Sequence, residues 1–409
     1  MTAPTASTAS ATAGPLSDIR VVELGSFIAG PYCGQLLADM GADLVKFEDP
    51  GKGDPMRQWG FAKKDGASVW WPVIGRNKKS VTIDLRKSQG QDILRRLLKD
   101  ADVLLENFRP GTLEKWGLTV EALHAINPKL IIARVSGYGQ YGPYAEKAGF
   151  AAVAEAMGGM RTINGYPDRL PTRTGLSIGD TLAGIYTAFG ILAALHQRSR
   201  DGKGQVIDVG LTDAILASIE GVISEYSVTG HVRGRTGLTS PGFAPSNIYP
   251  TLDGHHIVIG ANADTICKRL FAVMGMDFLM DDPRFATHGA RGQPDNQAEI
   301  DRIIGDWTRT KPRDELLKLL DGASVPAGGV NDAAAVAADP HFRARDMVIE
   351  VDTPGFGRML MQGIVPKLTR TPGAVRWTGA RLGEHTDAVL KAAGYSQDEI
   401  AAMRQGGVL

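Results

Sequence analysis

The strongest constraint on this chain is a change of period near its start. Ile19–Leu24 (IRVVEL) is a short β-branched run that predicts a strand. Pro31 to Met40 predicts a helix, and Ala42 to Glu48 (ADLVKFE) a second strand. Two strands joined through a helix must lie parallel, because a tight hairpin cannot connect them. The alternation resumes with Val81–Leu85, with Gly90–Lys99 as an amphipathic helix, and with Val103–Leu105 and Leu130–Val135 as strands. Repeated β and α elements predict an α/β chain with a doubly wound, Rossmann-like large domain.

Thr181 to Gln197 reads as a helix apolar almost all round, hence a core helix. The uninterrupted apolar stretch ends at Leu195, shorter than the roughly 18 residues of a membrane span. Val206–Val209 predicts a strand, and Thr212 to Tyr226 a buried helix. Beyond Thr229 glycine and proline cluster, which marks a smaller α+β domain over 230–325. The expected layout is a disordered tail over 1–14, a large domain from 15–205 and 335–409, and linkers at 206–229 and 326–334.

Lysine plus arginine equals aspartate plus glutamate at 45 each, which argues against a general nucleic-acid or membrane-surface binder. Cys33 and Cys267 are the two cysteines, too few for a disulfide framework, and point to a cytoplasmic protein. The turn Gly25-Ser26-Phe27-Ile28-Ala29-Gly30 lacks the three spaced glycines of a dinucleotide site, so no nucleotide cofactor is expected. His255 and His256 are adjacent on a strand and face opposite ways, and the other histidines are scattered, so no metal is expected.

Of three candidate ligand segments, two follow strands and so lie where open α/β sheets bind ligands, at strand carboxyl ends. Arg76-Asn77-Lys78-Lys79 reads as a turn before the strand at Val81. Asn107-Phe108-Arg109, with Lys115 beyond, offers an aromatic face and two cations. Ser136-Gly137-Tyr138 follows the next strand. Together they suit a long anionic ligand with an aromatic head. Asp180 ends Gly175-Leu176-Ser177-Ile178-Gly179-Asp180, just before the apolar helix. It reads either as a helix cap or as a reactive carboxylate at the positive end of a helix dipole.

On VVELGSFIAGPYCGQLLADMGADLVKFEDPGKGDPMR, DVLLENFRPGTLEKWG, ARVSGYGQYGP, GLSIGDTLAGIYTAFGILAAL and GKGQVIDVGLTDA, the chain resembles the class III coenzyme A transferases, the formyl-CoA and carnitine CoA-transferase family. The likeness runs from about residue 15 to 395. It implies a ring-like interlocked homodimer and an acyl-CoA and a carboxylic acid as small-molecule substrates. It implies Asp180 as covalent nucleophile, passing through an aspartyl anhydride and an aspartyl-CoA thioester. It implies coenzyme A contacts at Ile28, Ala29, Arg76, Asn77, Lys78, Asn107, Phe108, Arg109, Lys115, Ser136, Gly137 and Tyr138. Oxyanion donors are expected at Gly137, Tyr138 or the helix start at Thr181.

The pattern departs from formyl-CoA transferase at Ile28, where that enzyme has Gln, and at Ser136, where it has Lys. Its mobile tetraglycine loop has no counterpart; Ile259–Asn262 is nearest by position. These departures point away from oxalate and formate. Many family members with this overall pattern use succinyl-CoA and a C4–C6 dicarboxylate, and the resemblance implies that pair here. Arg173 is the candidate for a distal carboxylate. Two rivals share the fold: a 2-methylacyl-CoA racemase and a non-catalytic CoA-binding protein. Family racemases carry a base histidine where Ala148-Gly149-Phe150 stands here, and phenylalanine cannot move a proton.

Overall fold

The computed structural model describes residues 14–409, so the expected disordered tail lies outside the described residues except for Gly14. The chain forms two compact units. One takes the described residues up to Met160 together with Thr174–Gly221 and Pro340–Leu409. The other takes Arg161–Arg173 and Val222–Asp339.

The first unit is built on six parallel strands. They are β1 (Arg20–Glu23), β2 (Asp43–Glu48), β3 (Lys78–Thr82), β4 (Val103–Glu106), β5 (Ile131–Ser136) and β6 (Val206–Gly210). Their order across the sheet is β3-β2-β1-β4-β5-β6. Val22 stands opposite Val45 on β2 and Leu104 on β4, so β1 is central and buried on both faces. The chain winds outward from β1 to β3, then returns to the far side of β1 as β4. Strand order therefore reverses between β1 and β4, and the carboxyl ends of strands at such a reversal are where open parallel sheets take ligands.

Helix α1 (Ala29–Asp39) follows β1, and α2 (Ser88–Leu98) precedes β4. α3 (Ala151–Met157) and α4 (Ile178–Asp201) lie between β5 and β6, and α5 (Leu211–Ala217) follows β6. Alternate residues along the strands face opposite sides. Val22, Leu24, Leu104 and Ile132 pack with Leu94 and Leu98 of α2 and with Leu390, Ile400 and Met403 near the carboxyl terminus. On α4, Ala183, Gly184, Thr187, Ala188, Ile191 and Ala194 are buried. A Cβ at position 184 would come within 2.9 Å of the Ala29 carbonyl oxygen, so only glycine lets α4 lie this close to α1.

The second unit has a three-stranded antiparallel sheet of β7 (Ser246–Pro250), β8 (His256–Gly260) and β9 (Ala327–Gly329), with β8 in the middle. Its core joins Ile257 and Ile259 of β8 to Leu270 and Phe271, Ile300 and Ile304, and Leu316 and Leu320 on three helices.

Several elements differ from expectation. Residues 206–229, expected as a linker, begin with β6, whose ladder on β5 completes the large sheet. The expected linker 326–334 contains β9, which is hydrogen-bonded to β8. The helix expected over Thr212–Tyr226 is two helices, α5 and Val222–Thr229, separated at Glu220, which has a φ of 55°. The strand expected at Val81 begins at Lys78, so Lys78 and Lys79 belong to the sheet rather than to a turn. The core helix runs 24 residues from Ile178 to Asp201, so it is long and apolar enough by length and composition to cross a membrane.

Candidate functional site

Asp180 stands in the first turn of α4, inside the helix rather than before it. The N-cap is Ser177, and no side chain caps this end. The carboxylate accepts no hydrogen bond among the described residues, so it does not spend itself on capping. Burial pushes its pKa up to about 6, and the Glu155 carboxylate on α3 adds to the shift. A carboxylate without donors around it is a stronger base and nucleophile than a solvated one.

Contacts within the first unit bring three strand-end loops around this residue. Ala29, which opens α1 just after the β1 loop, faces Gly184, one turn beyond Asp180. Gly179, the preceding residue, packs on Ala151 at the start of α3, where an added Cβ would lie 3.3 Å from the Ala151 Cα. Just before Ala151, Phe150 meets Phe27 edge-on with ring centroids 6.4 Å apart, and Phe27 meets Trp59 at 5.4 Å. Gly149 crosses Gly137 so closely that a Cβ on Gly137 would sit 2.8 Å from the Gly149 Cα. The loop after β4 joins through Asn107. Its Oδ1 accepts from the Ser26 N–H and its Nδ2 donates to the Ser26 carbonyl, both at 2.8 Å.

The loop after β1 is held from beneath by buried charge. Lys46 Nζ donates to the Gly25 carbonyl at 2.6 Å and pairs with Glu23 and Asp54. Burial works against that ammonium, but Asp54, Glu23 and Glu48 outweigh it and hold its pKa above the lysine range. Asp54 Oδ1 also accepts from the Phe27 N–H at 3.2 Å, which fixes Phe27 at a φ of 65°. A bulky residue in that left-handed region costs on the order of 1 kcal/mol or more, and the surrounding bonds offset it.

The sequence-predicted contacts fall into two groups. Arg76, Asn77 and Lys78 are buried, and their side chains turn to protein partners. Arg76 forks onto Asp39, and Asn77 Nδ2 donates to Asp39 and to the Ala374 carbonyl. Lys78 Nζ bonds Glu23 at 2.8 Å and the Pro31 carbonyl at 2.5 Å, and burial lowers its pKa. Arg109 and Lys115 are exposed, Phe108 is half-buried against Trp116, and Ile28 is half-buried beside buried Ala29. Ser136 is buried and its Oγ has no partner among the described residues, while Gly137 and Tyr138 are half-buried.

The expected oxyanion donor at Thr181 is engaged, since its N–H bonds the Ser177 carbonyl at 3.0 Å. The first-turn N–H groups at Ile178, Gly179 and Asp180 have no carbonyl within the helix to bond. The sequence reasoning also passed over Phe27, Trp59 and Asp54. The GDP run at 53–55 was the available signal, but nothing local shows that its aspartate reaches Phe27. Ile259–Asn262, in the second unit, is fixed rather than loose: Ile259 and Ala261 are buried, and the Asn262 carbonyl accepts from the buried Arg291 at 2.8 Å. Arg173 is exposed and belongs to the second unit.

The chain matches the model of CoA-transferase family III over residues 16–386. It is 54% identical over 396 residues to the succinyl-CoA–D-citramalate CoA-transferase of Chloroflexus aurantiacus, covering 97% of this chain and 98% of that one. It is 36% identical over 383 residues to the succinate–glutarate CoA-transferase of Agrobacterium fabrum, covering 92% of this chain and 95% of that one. A CAIB/BAIF family protein from Brucella suis has the same fold, with a TM-score of 0.82, 36% identity, and coverage of 93% of this chain and 100% of that one. The chain therefore belongs to the class III coenzyme A transferases. It is an enzyme that moves coenzyme A between an acyl-CoA and a carboxylic acid.

Proposed function

We propose that Asp180 carries the transfer covalently. Its carboxylate attacks the thioester carbonyl of the donor, the C–S bond breaks, and the CoA thiolate leaves a mixed anhydride. The thiolate then attacks the Asp180 acyl carbon, which releases the donor acid and leaves an aspartyl-CoA thioester. The acceptor carboxylate attacks that thioester, and the thiolate returns to the acceptor's carbonyl to free Asp180. Each intermediate is an activated acyl group, so the exchange needs no external energy source. The first-turn N–H groups of α4 point toward where the tetrahedral oxyanions form.

The observation that carries this reading is a raised, unbonded carboxylate in a helix first turn where three strand-end loops meet. The Asn107–Arg109 and Ser136–Tyr138 loops and Lys115 line the coenzyme A side of the site in this reading. The aromatic group Phe27, Trp59 and Phe150 lines the acyl side, with Ile28. The donor is succinyl-CoA and the acceptor a C4–C6 dicarboxylate or hydroxy-dicarboxylate. Support comes from the substrates of the relatives in Chloroflexus and Agrobacterium.

The test is Asp180→Ala with succinyl-CoA and a panel of dicarboxylates. Transfer falls to background while coenzyme A still binds, and undiminished turnover refutes the covalent route. Hydroxylamine added to wild type during turnover converts Asp180 to its hydroxamate, read by peptide mass; an unmodified Asp180 peptide counts against the anhydride and thioester.

The enzyme works as an interlocked homodimer in the cytoplasm. Ile185, Phe189 and Leu192 form an exposed apolar stripe on α4, and Leu216 is exposed on α5. A second copy would cover such a surface. Sedimentation of Phe189→Glu at the monomer mass, against a dimeric wild type, is the expected result.

A further inference from the structure

One guanidinium grips both ends of a loop. Arg134, on β5, donates from Nε to Glu106 Oε1 at 2.7 Å. Its Nη1 and Nη2 donate to Glu114 Oε1 and Oε2 at 2.8 and 3.3 Å. Glu106 is the last residue of β4, and its other oxygen accepts the Phe108 N–H at 2.7 Å. Glu114 lies in the helical turn Thr112–Lys115. The segment between the two acids carries Asn107, Phe108 and Arg109, and Lys115 follows it directly. Arg134 is 6% exposed and Glu106 1% exposed, so water does not loosen the inner half of the fork. Arg134, Glu114, Pro110 and Gly111 also border a cleft of about 740 Å³ whose opposite wall includes Gln140 and Lys147.

We infer that Arg134 is a positioning residue for acyl-CoA binding: it presets the loop after β4, so that binding need not first order it. The inference rests on reading Asn107, Phe108, Arg109 and Lys115 as coenzyme A contacts. Arginine suits the place because its planar guanidinium holds Glu106 through Nε and both Glu114 oxygens through Nη1 and Nη2 in one rigid geometry; a lysine offers one point charge on a flexible stem. The placement also separates this role from simple glue. The fork's anchors are the two ends of a ligand loop, and a buried ion pair by itself adds little to stability.

Two variants of the full chain test it. Arg134→Lys removes the fork. Glu114→Gln weakens only its half-exposed arm and leaves Arg134 on Glu106. The expected result is a KM for acyl-CoA raised about tenfold, with kcat at saturation changed less than about threefold and the KM for the acceptor acid unchanged. Calorimetry with free coenzyme A shifts by the same factor. If wild type binds coenzyme A and both variants bind it equally well, melting earlier but keeping their KM, the positioning role is overturned. If Arg134→Lys does not fold, Glu114→Gln decides by the same measure. If wild type itself shows no binding of coenzyme A, the contact assignment fails and the inference falls with it.

Discussion

Replacing Asp180 by asparagine should stabilise the protein while abolishing its activity. The carboxyl is raised from 3.8 to about 6, mainly by burial. A shift of roughly 2 units corresponds to about 3 kcal/mol of preference for the protonated form. An acid whose folded pKa is raised loses stability as pH climbs from its unfolded value through its folded one. The whole cost is therefore present above about pH 6 and absent below about pH 4. The first-turn position returns up to about 1 kcal/mol through the helix dipole. The net expectation is that Asp180→Asn is about 2 kcal/mol more stable than wild type at pH 8. The gap should shrink by roughly half at pH 5, where part of the wild-type carboxyl is already protonated. Urea unfolding of both proteins at the two pH values measures it. A capping aspartate predicts no gain, because asparagine caps a helix about as well. A variant less stable than wild type at pH 8, or a gap unchanged between pH 8 and 5, refutes the argument that burial sets this carboxyl's reactivity.

Turnover should lose about tenfold per pH unit below about 6, as the nucleophile takes up a proton; a flat rate between pH 5 and 7 would show that a different group limits it. Wild type incubated with a 2-methylacyl-CoA in heavy water should take up no deuterium at the α carbon, because Phe150 stands where a base is required; mass spectrometry reads the exchange. Asn107→Ala removes both bonds to Ser26 and should cost roughly 1–3 kcal/mol in urea unfolding while raising the KM for acyl-CoA. Gly137→Ala drives a methyl into the Gly149 backbone, which cannot retreat as a side chain would, and should cost about 1–3 kcal/mol with a marked loss of kcat.

Local signals were legible wherever neighbours in sequence decide the outcome. The IRVVEL run, the helix from Pro31 and the ADLVKFE run gave β1, α1 and β2 to within two residues, because β-branching and apolar period act over a few positions. The charged run at 76–79 misled for the opposite reason. Four polar residues in a row read as a solvated turn, yet Lys78 is buried, and the Glu23 that neutralises it stands 55 positions away. No local pattern announces such a partner. The carboxyl-terminal segment 386–405 forms two helices, Thr386–Ala392 and Gln397–Gln405, since Gly394 takes a φ of 85° and Ser396 starts the second with a capping box. The Asp180 cap reading was also local, and it failed because α4 begins at Ile178, a turn earlier than its apolar run suggests.

By itself the sequence determined that this chain builds a parallel α/β sheet, and, through motifs spread along its length, that it resembles a coenzyme A transferase with Asp180 at its centre. Only the tertiary structure decided what surrounds that aspartate. Strand order reverses between β1 and β4, and glycines at 137, 149, 179 and 184 let backbones approach until three loops met at one helix end. It also decided that Arg76, Asn77 and Lys78 are buried against protein partners while Arg109 and Lys115 are exposed. Burial and pairing depend on which distant groups arrive together, and those free energies exist only once the chain has folded.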